Sequence, residues 1–188
     1  MTLLTNNIHE HIELVGKLYQ LNHVIQQAGL IAADTLNSGG KILFCGNGGS
    51  AADSQHLAAE LTGKLFNDRR PLAAIALTTD SSTLTCISND YSFDEVFARQ
   101  VTGLGQEKDL LIAISTSGNS MNIIRAVEEA KKIGMHTVGL LGRDGGKVSY
   151  LCSHSIVVPS ENTARIQECH ILIGHTICEM IEKELRLI

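Results

Sequence analysis

The chain has 188 residues, of which 44% are hydrophobic and 19% charged, so its sequence can build one domain with a sizeable core. Its net charge of −5, with the histidines neutral, argues against a non-specific nucleic-acid binder, which needs a basic face. Five cysteines without a C-x-x-C pair, and no apolar run long enough for a membrane span, predict a cytoplasmic protein with mostly buried free thiols and no membrane partner.

The first predicted element is a long or broken helix from about Ile8 to Leu36. Apolar side chains recur in this segment at helical spacing, and it contains no proline. The sequence Asn37-Ser38-Gly39-Gly40 ends it. Because this helix precedes the first strand, it is not a crossover of a sheet. We expect the N-terminal segment, about residues 1–38, to pack across the domain or against another subunit.

Five continuous apolar runs that alternate with helical segments predict a doubly wound parallel α/β sheet. The predicted strands are Lys41 to Cys45, Leu72 to Leu77, Asp109 to Ile114, His136 to Leu141 and Ser155 to Val158. The later predicted helices are Asp94 to Leu104, Asn122 to Ile133 and Asn162 to Leu187, and the segment from Thr78 to Asn89 fits either a loop or a short helix. We expect the whole chain, 1–188, to be a single domain.

A glycine-rich turn, Gly46-Asn47-Gly48-Gly49-Ser50, joins the first strand to a helix. This layout points backbone N–H groups at an anion, although such a turn can also serve only as a corner. The helix then carries His56 and Glu60, which lie one turn apart on one face. Both side chains can bind a divalent metal or transfer protons, or they can form an ordinary surface pair.

The segment Ser115-Thr116-Ser117-Gly118-Asn119-Ser120 offers four hydroxyl groups between a strand and a helix. Hydroxyls and helix N-terminal N–H groups together suit a phosphate dianion. The alternative is an ordinary helix cap, which needs one hydroxyl. The number of hydroxyls favours a phosphate site.

The last helix carries Gln167, His170 and His175 as further candidates. A rise of about 1.5 Å per residue places Gln167 and His175 roughly 12 Å apart. Two long side chains could reach one metal between them or serve separate sites, and either histidine could be a core or interface residue.

These motifs, together with Asn89-Asp90 and Arg165-Ile166-Gln167-Glu168, make the chain resemble the sugar isomerase (SIS) domain family. Within that family it is similar to the phosphoheptose isomerases. The matching motifs occur in the same order and cover most of the chain. Two positions depart from the pattern: Ala164 stands where some members have Asp, and Lys64 where some have Arg.

The resemblance implies a set of site residues and a cofactor. It implies one zinc per active site, bound by His56, Glu60, Gln167 and His175. The implied substrate-binding residues are Asn47, Gly48, Gly49, Ser50, Glu60, Asn89, Asp90, Ser115, Thr116, Ser117, Ser120 and Gln167. It also implies a homotetramer with active sites between subunits, and it leaves open whether His175 acts in its own subunit's site.

The activity that the resemblance implies is conversion of D-sedoheptulose 7-phosphate to D-glycero-D-manno-heptose 7-phosphate through an enediol. That step leads towards the heptose of lipopolysaccharide or capsule. Glu60 is then expected to be the base and His175 the acid. Two alternatives stay open: an isomerase of another phosphosugar, and a non-catalytic SIS protein that senses a sugar phosphate or binds a partner such as a replication initiator. Glu60 and His175 favour an enzyme, since a scaffold needs neither.

Overall fold

The apolar runs form one parallel sheet in the computed structural model, which describes residues 2–188. The strands are β1 (Ile42–Gly46), β2 (Ala74–Ala76), β3 (Leu110–Ser115), β4 (His136–Gly142) and β5 (His154–Val158). Their order is β2-β1-β3-β4-β5, so the order reverses between β1 and β3. In such sheets ligands bind at the carboxyl ends of the strands on either side of that reversal. The prediction of a doubly wound, five-stranded parallel sheet is confirmed.

Helices cover both faces of the sheet. They are α1 (Leu3–Lys17), α2 (Asn22–Asn37), α3 (Gly49–Thr62), α4 (Ser81–Asp90), α5 (Ala98–Leu104), α6 (Met121–Ile133), α7 (Val148–Leu151) and α8 (Thr163–Glu184). The N-terminal segment is a broken helix, interrupted by a 3₁₀ turn at Leu18–Leu21. The segment that fitted loop or helix forms α4. The four-residue α7 was not predicted, because one helical turn is too short to show a periodic pattern.

Alternate residues of the central strands enter two separate cores. Along β1, Ile42 and Phe44 face the core beneath α2, α3 and α8, whereas Leu43 and Cys45 face the core beneath α5 and α6. All four side chains are at most 2% exposed. This two-sided burial is the physical reason that the strands have continuous apolar sequences.

Helices α3 and α8 pack side by side and run in the same direction. A Cβ atom added to Gly49 would lie 2.5 Å from Nε2 of Gln167, and one added to Gly174 would lie 2.6 Å from the Cδ atoms of Leu57. Gly174 therefore permits a closer approach than any larger residue would. His56 precedes Leu57 on α3 and His175 follows Gly174 on α8, so this close contact lies next to both histidines.

His170, a candidate from the sequence, is a fully buried core residue. Its Nε2 donates a hydrogen bond of 3.0 Å to the carbonyl of Leu141, at the end of β4. Burial lowers the pKa of His170 to about 4, although the bond to Leu141 opposes the shift. The ring is therefore neutral at physiological pH and serves the fold.

The buried His170 predicts a pH-dependent stability. Because its folded pKa lies below the unfolded value of about 6.5, its contribution is complete above pH 6.5 and is lost as the pH falls towards 4. Between pH 7 and pH 4 we expect the wild type to lose about 3 kcal/mol more unfolding free energy than His170→Gln, whose amide can also donate to Leu141. Urea unfolding across this range tests it, and parallel curves for the two proteins would contradict it.

The cysteines agree with the prediction of mostly buried free thiols. All five cysteines are free, and Cys45, Cys169 and Cys178 are buried. Within residues 2–188, no helix combines the length and the apolar character that a membrane crossing requires.

Candidate active site

The glycine turn after β1 starts α3 with a tight bend. Gly48 has φ 56°, in the left-handed region, and its carbonyl accepts the N–H of Ala51 at 3.0 Å. Ser50 is 3% exposed, and a Cβ on Gly46 would lie 2.4 Å from its carbonyl oxygen. The chain can make this bend only with glycine at these positions. The result is a free helix N-terminus at the carboxyl end of the sheet, which attracts anions.

His56, Glu60 and His175 form one compact group between α3 and α8. One ligand atom from each residue can be chosen so that all three lie within 4.8 Å of one another. The two histidine Nε2 atoms are 2.8 Å apart, and Nε2 of His56 lies 3.3 Å from Oε1 of Glu60. The sequence placed His56 and Glu60 on one face of α3, the resemblance added His175, and the structure brings the three together.

The donors of this group fit a divalent metal such as zinc. Two histidines and one carboxylate form a common zinc ligand set that leaves further positions open. With bonds of about 2.0–2.1 Å, two nitrogens on one tetrahedral zinc lie roughly 3.3 Å apart. The observed 2.8 Å between the His56 and His175 nitrogens is close to that spacing, so small side-chain rotations suffice.

Gln167, the fourth ligand that the resemblance implies, is a residue of α8 whose side chain lies beside the start of α3. Its amide lies against Gly49, where a Cβ would be only 2.5 Å from Nε2. Along α8 it is about two turns before His175. Gln167 therefore lies at the glycine turn, and its role as a metal ligand stays a prediction.

Asp53 adds a carboxyl group near His56 that the sequence analysis missed. It precedes His56 by one turn of α3. Burial raises the pKa of Asp53, and the nearby His56 partly opposes that shift. Within residues 2–188, Oδ2 of Asp53 is buried without a hydrogen-bond partner.

The hydroxyl-rich loop between β3 and α6 is built by its own side chains. The Ser115 hydroxyl is buried and accepts the N–H of Gly118 at 3.1 Å, and the Ser117 hydroxyl accepts the N–H of Asn119 at 3.2 Å. Ser120 occupies the N-cap position of α6, but within the described part of the chain its hydroxyl accepts no capping hydrogen bond. The loop therefore shapes itself with Ser115 and Ser117 and leaves the Ser120 hydroxyl for another partner.

The loop after β4 packs against this hydroxyl-rich loop. Gly118 has φ 61°, and a Cβ there would lie 1.9 Å from the carbonyl oxygen of Gly145. The side-chain oxygen of Asn119 accepts the N–H of Lys147 at 3.1 Å. These contacts require glycine at position 118 and hold the loop rigidly.

Asn47 and Asn122 join the two loops at the reversal of strand order. The amide Nδ2 of each residue donates to Oδ1 of the other at 2.8 Å. Asn122 is 2% exposed and belongs to the first turn of α6. The sequence analysis missed Asn122, because its partner is 75 positions away and an asparagine at the start of a helix has no distinctive pattern. Each amide keeps a further N–H and lone pair for a ligand.

Asn89 and Asp90 form the last turn of α4 and are exposed. Nδ2 of Asn89 donates to Asp90 at 2.8 Å, and Sγ of Cys86 lies 3.4 Å from the same carboxylate. The Asn89 hydrogen bond, with a smaller contribution from Cys86, lowers the pKa of Asp90. Within residues 2–188, no hydrogen bond connects this pair to the other candidate site residues, and its place in the site stays a prediction.

Comparison with known proteins agrees with the fold and identifies the family. The SIS domain family model matches residues 8–142. The phosphoheptose isomerase of Aliarcobacter butzleri (strain RM4018) is 56% identical over 176 residues, which cover 93% of each chain. Phosphoheptose isomerase 1 of Campylobacter jejuni is 51% identical over 183 residues, which cover 97% of this chain and 98% of that one.

A solved structure shows the same likeness in three dimensions. The structure of a phosphoheptose isomerase from Neisseria gonorrhoeae superposes with a TM-score of 0.91 at 47% identity, over 96% of this chain and 97% of that one. The chain therefore belongs to the SIS domain family and, within it, to the phosphoheptose isomerases.

Proposed function

We propose that this enzyme converts D-sedoheptulose 7-phosphate to D-glycero-D-manno-heptose 7-phosphate, the first step towards the heptose of lipopolysaccharide or capsule. The observation that carries the proposal is the group of His56, Glu60 and His175, two of which lie on the helix that follows the glycine turn. It supplies a carboxylate, imidazoles and a place for a metal within one small volume. A sugar-phosphate sensor or a partner-binding protein would not need such a group.

The reaction moves one proton between two carbons and one between two oxygens. Glu60, whose side chain is 19% exposed, removes a proton from C1 of the ketose as His175 donates one to the oxygen on C2, which gives the enediol. Each acts through the carboxylate oxygen or ring nitrogen that would not hold the metal. Glu60 then returns its proton to C2, and His175 takes one from the oxygen on C1. Both groups end in their starting protonation states, so the cycle closes.

The bound metal is proposed to be one zinc, held by His56, Glu60, His175 and Gln167. Zinc at this position would polarise the substrate oxygens and stabilise negative charge on the enediolate. The ligand set and spacing of the first three residues support this role.

The hydroxyl-rich loop is proposed to bind the phosphate, through Ser115, Thr116, Ser117 and Ser120 with the N-terminus of α6. Asn47, Gly48, Gly49 and Ser50 of the glycine turn, with Asn89, Asp90 and Gln167, complete the proposed substrate site. The hydrogen bonds between Asn47 and Asn122 support this division, because they hold the two loops side by side. Phosphate bound at one end positions the reacting carbons near Glu60.

Replacement of Ser120 by alanine tests the phosphate loop. We expect KM for the sugar phosphate to rise about 10- to 100-fold, because a hydrogen bond to a charged group is lost. The thermal stability should hardly change, since the Ser120 hydroxyl accepts no capping bond within residues 2–188. The control is Asn162→Ala, which removes the hydrogen bond that caps α8 and should cost about 1 kcal/mol of stability without raising KM. An unchanged KM in Ser120→Ala would contradict the assignment.

The assembly is proposed to be a cytoplasmic homotetramer of single-domain subunits with active sites between them. Helix α1 supports this because Leu3, Leu4, Ile8 and Ile12 are 78, 67, 48 and 61% exposed. Such a row of apolar side chains is typical of an interface. Sedimentation velocity tests the tetramer, and a monomer at micromolar concentration would contradict it.

A proton NMR time course with sedoheptulose 7-phosphate tests the reaction itself. We expect new anomeric signals from an aldoheptose phosphate. Fructose 6-phosphate serves as the comparison substrate, because the loops do not by themselves measure sugar length. Equal or faster turnover of it would favour an isomerase of another phosphosugar. No turnover of the heptulose, with zinc supplied and the oligomer intact, would refute the proposal.

A further inference from the structure

We infer that the buried ion pair of Arg69 and Glu182 positions the metal-binding group, by fixing α3 against α8 at the separation that His56, Glu60 and His175 require. The inference rests on the proposed function, since it concerns the same group. It makes Arg69 and Glu182 positioning residues that do not touch the substrate.

Arg69 lies in the loop after α3 and folds back onto the end of that helix. Its side chain is 2% exposed. Nη2 donates to the carbonyl of Glu60 at 2.7 Å, and Nη1 donates to the carbonyls of Leu61 at 2.8 Å and Gly63 at 3.0 Å. The last carbonyls of a helix have no partner within it, so this guanidinium supplies what the helix lacks. One of these carbonyls belongs to Glu60, whose carboxylate is in the metal-binding group.

Glu182 connects the same guanidinium to α8. Oε1 of this fully buried side chain accepts Nε of Arg69 at 2.7 Å. Glu182 lies about two turns beyond His175 on the same helix. A single guanidinium therefore joins the backbone of Glu60 to the helix that carries His175.

Two contacts thus fix the two helices near the metal-binding group. One is the close approach of Leu57 to Gly174, an apolar contact that has no directional preference. The other is Arg69 with its directional hydrogen bonds, which sets the position of α3 along its axis. A ligand group at 2.8–3.3 Å spacing needs both, because metal bonds tolerate errors of only tenths of an ångström.

Stability alone does not explain this pair. Buried ion pairs are often no more stabilising than apolar residues of similar size. Moreover, Oε2 of Glu182 is buried without a hydrogen-bond partner within residues 2–188, which lowers the net gain. A role in fixing the positions of α3 and α8 explains why this buried site has a charged pair, although apolar side chains would pack there equally well.

The test compares metal binding and turnover in three variants. Arg69→Lys keeps the charge but loses the planar fork, Glu182→Gln keeps one hydrogen bond, and the double variant Arg69→Met with Glu182→Met keeps the packing without any donor. We expect Co²⁺ and Zn²⁺ to bind about 10- to 100-fold more weakly, as for other residues that support metal ligands. The visible spectrum of bound Co²⁺ should shift, and kcat should fall with little change in KM.

The control is the Lys41–Asp109 pair at the amino ends of β1 and β3, the end of these strands away from the candidate site. Asp109 is 1% exposed, and its carboxylate also accepts the N–H of Lys41 at 2.9 Å. Lys41→Met should lower thermal stability and leave the metal dissociation constant unchanged. This separates loss of stability from loss of position.

Three results would overturn the inference. The first is wild-type metal affinity and cobalt spectrum in both Arg69→Lys and the double variant. The second is failure of every variant to fold, which would make the pair a requirement of the fold only. The third result tests the inference even if the wild type binds no metal, an outcome that would contradict the proposed zinc role. In that case an unchanged His56–His175 separation in a crystal structure of Arg69→Lys would reject the positioning role.

Discussion

Glu60→Gln is expected to lose most of its turnover, with kcat reduced about 10²- to 10⁴-fold. The amide has nearly the shape of the carboxylate but cannot remove a proton from carbon. Binding of the sugar phosphate should persist, because the proposed phosphate site lies in the loops and does not include Glu60. The measurement is kcat from the NMR time course with saturating zinc, and substrate affinity by calorimetry.

A matched control separates this effect from loss of metal or of negative charge. Glu179→Gln removes a carboxylate one turn beyond His175 that pairs with Lys183 on the surface of α8. We expect it to turn over substrate at the wild-type rate. The zinc content of Glu60→Gln is measured in parallel, since an amide oxygen is the weaker ligand. Full activity in Glu60→Gln with zinc bound would rule out Glu60 as the base.

The elements of the site were predictable because their signals are local. The run from Lys41 to Cys45 shows a buried strand, and the glycines after it show a turn into a helix. The density of hydroxyls from Ser115 to Ser120 marks a loop with more polar groups than a cap needs. Each signal lies within about twenty residues, where side-chain spacing directly reports backbone geometry.

The assembly of these elements was not predictable from spacing alone. The His56–His175 contact joins residues 119 positions apart, and the Arg69–Glu182 contact joins residues 113 positions apart. Both depend on α8 packing beside α3, and strand periodicity contains no information about which helix covers which face. The helix arithmetic related His175 only to Gln167 on the same helix, whereas the packing of Gly174 on Leu57 brings His175 next to α3.

The same reason explains the residues that were missed. Arg69 is one of several basic residues in a polar loop, and Glu182 is one of several acidic residues near the end of a helix. Their burial follows from the ends of α3 and α8 meeting. The resemblance to a family supplied the site residues that spacing could not, but it did not supply the residues that hold them in place.

Removal of metal is expected to abolish turnover as strongly as loss of the base. After treatment with a chelator we expect kcat to fall at least about 100-fold, since a Lewis acid contributes several kcal/mol to an enediolate transition state. One equivalent of zinc per subunit should restore the rate. Insensitivity to the chelator, with zinc shown to be absent, would contradict the metal role.

Variants of the ligands locate the metal. His56→Ala and His175→Ala should bind zinc at least 10-fold more weakly and should not recover with one equivalent, because each removes a nitrogen from a group whose members lie within 4.8 Å. His136→Gln is the control, since that exposed histidine lies at the amino end of β4, away from the carboxyl ends of the strands. Gln167→Ala decides the fourth ligand: weaker zinc binding supports coordination, whereas unchanged binding would limit Gln167 to its contact with Gly49. The four variants together therefore show whether the metal lies between α3 and α8 alone or also reaches the glycine turn.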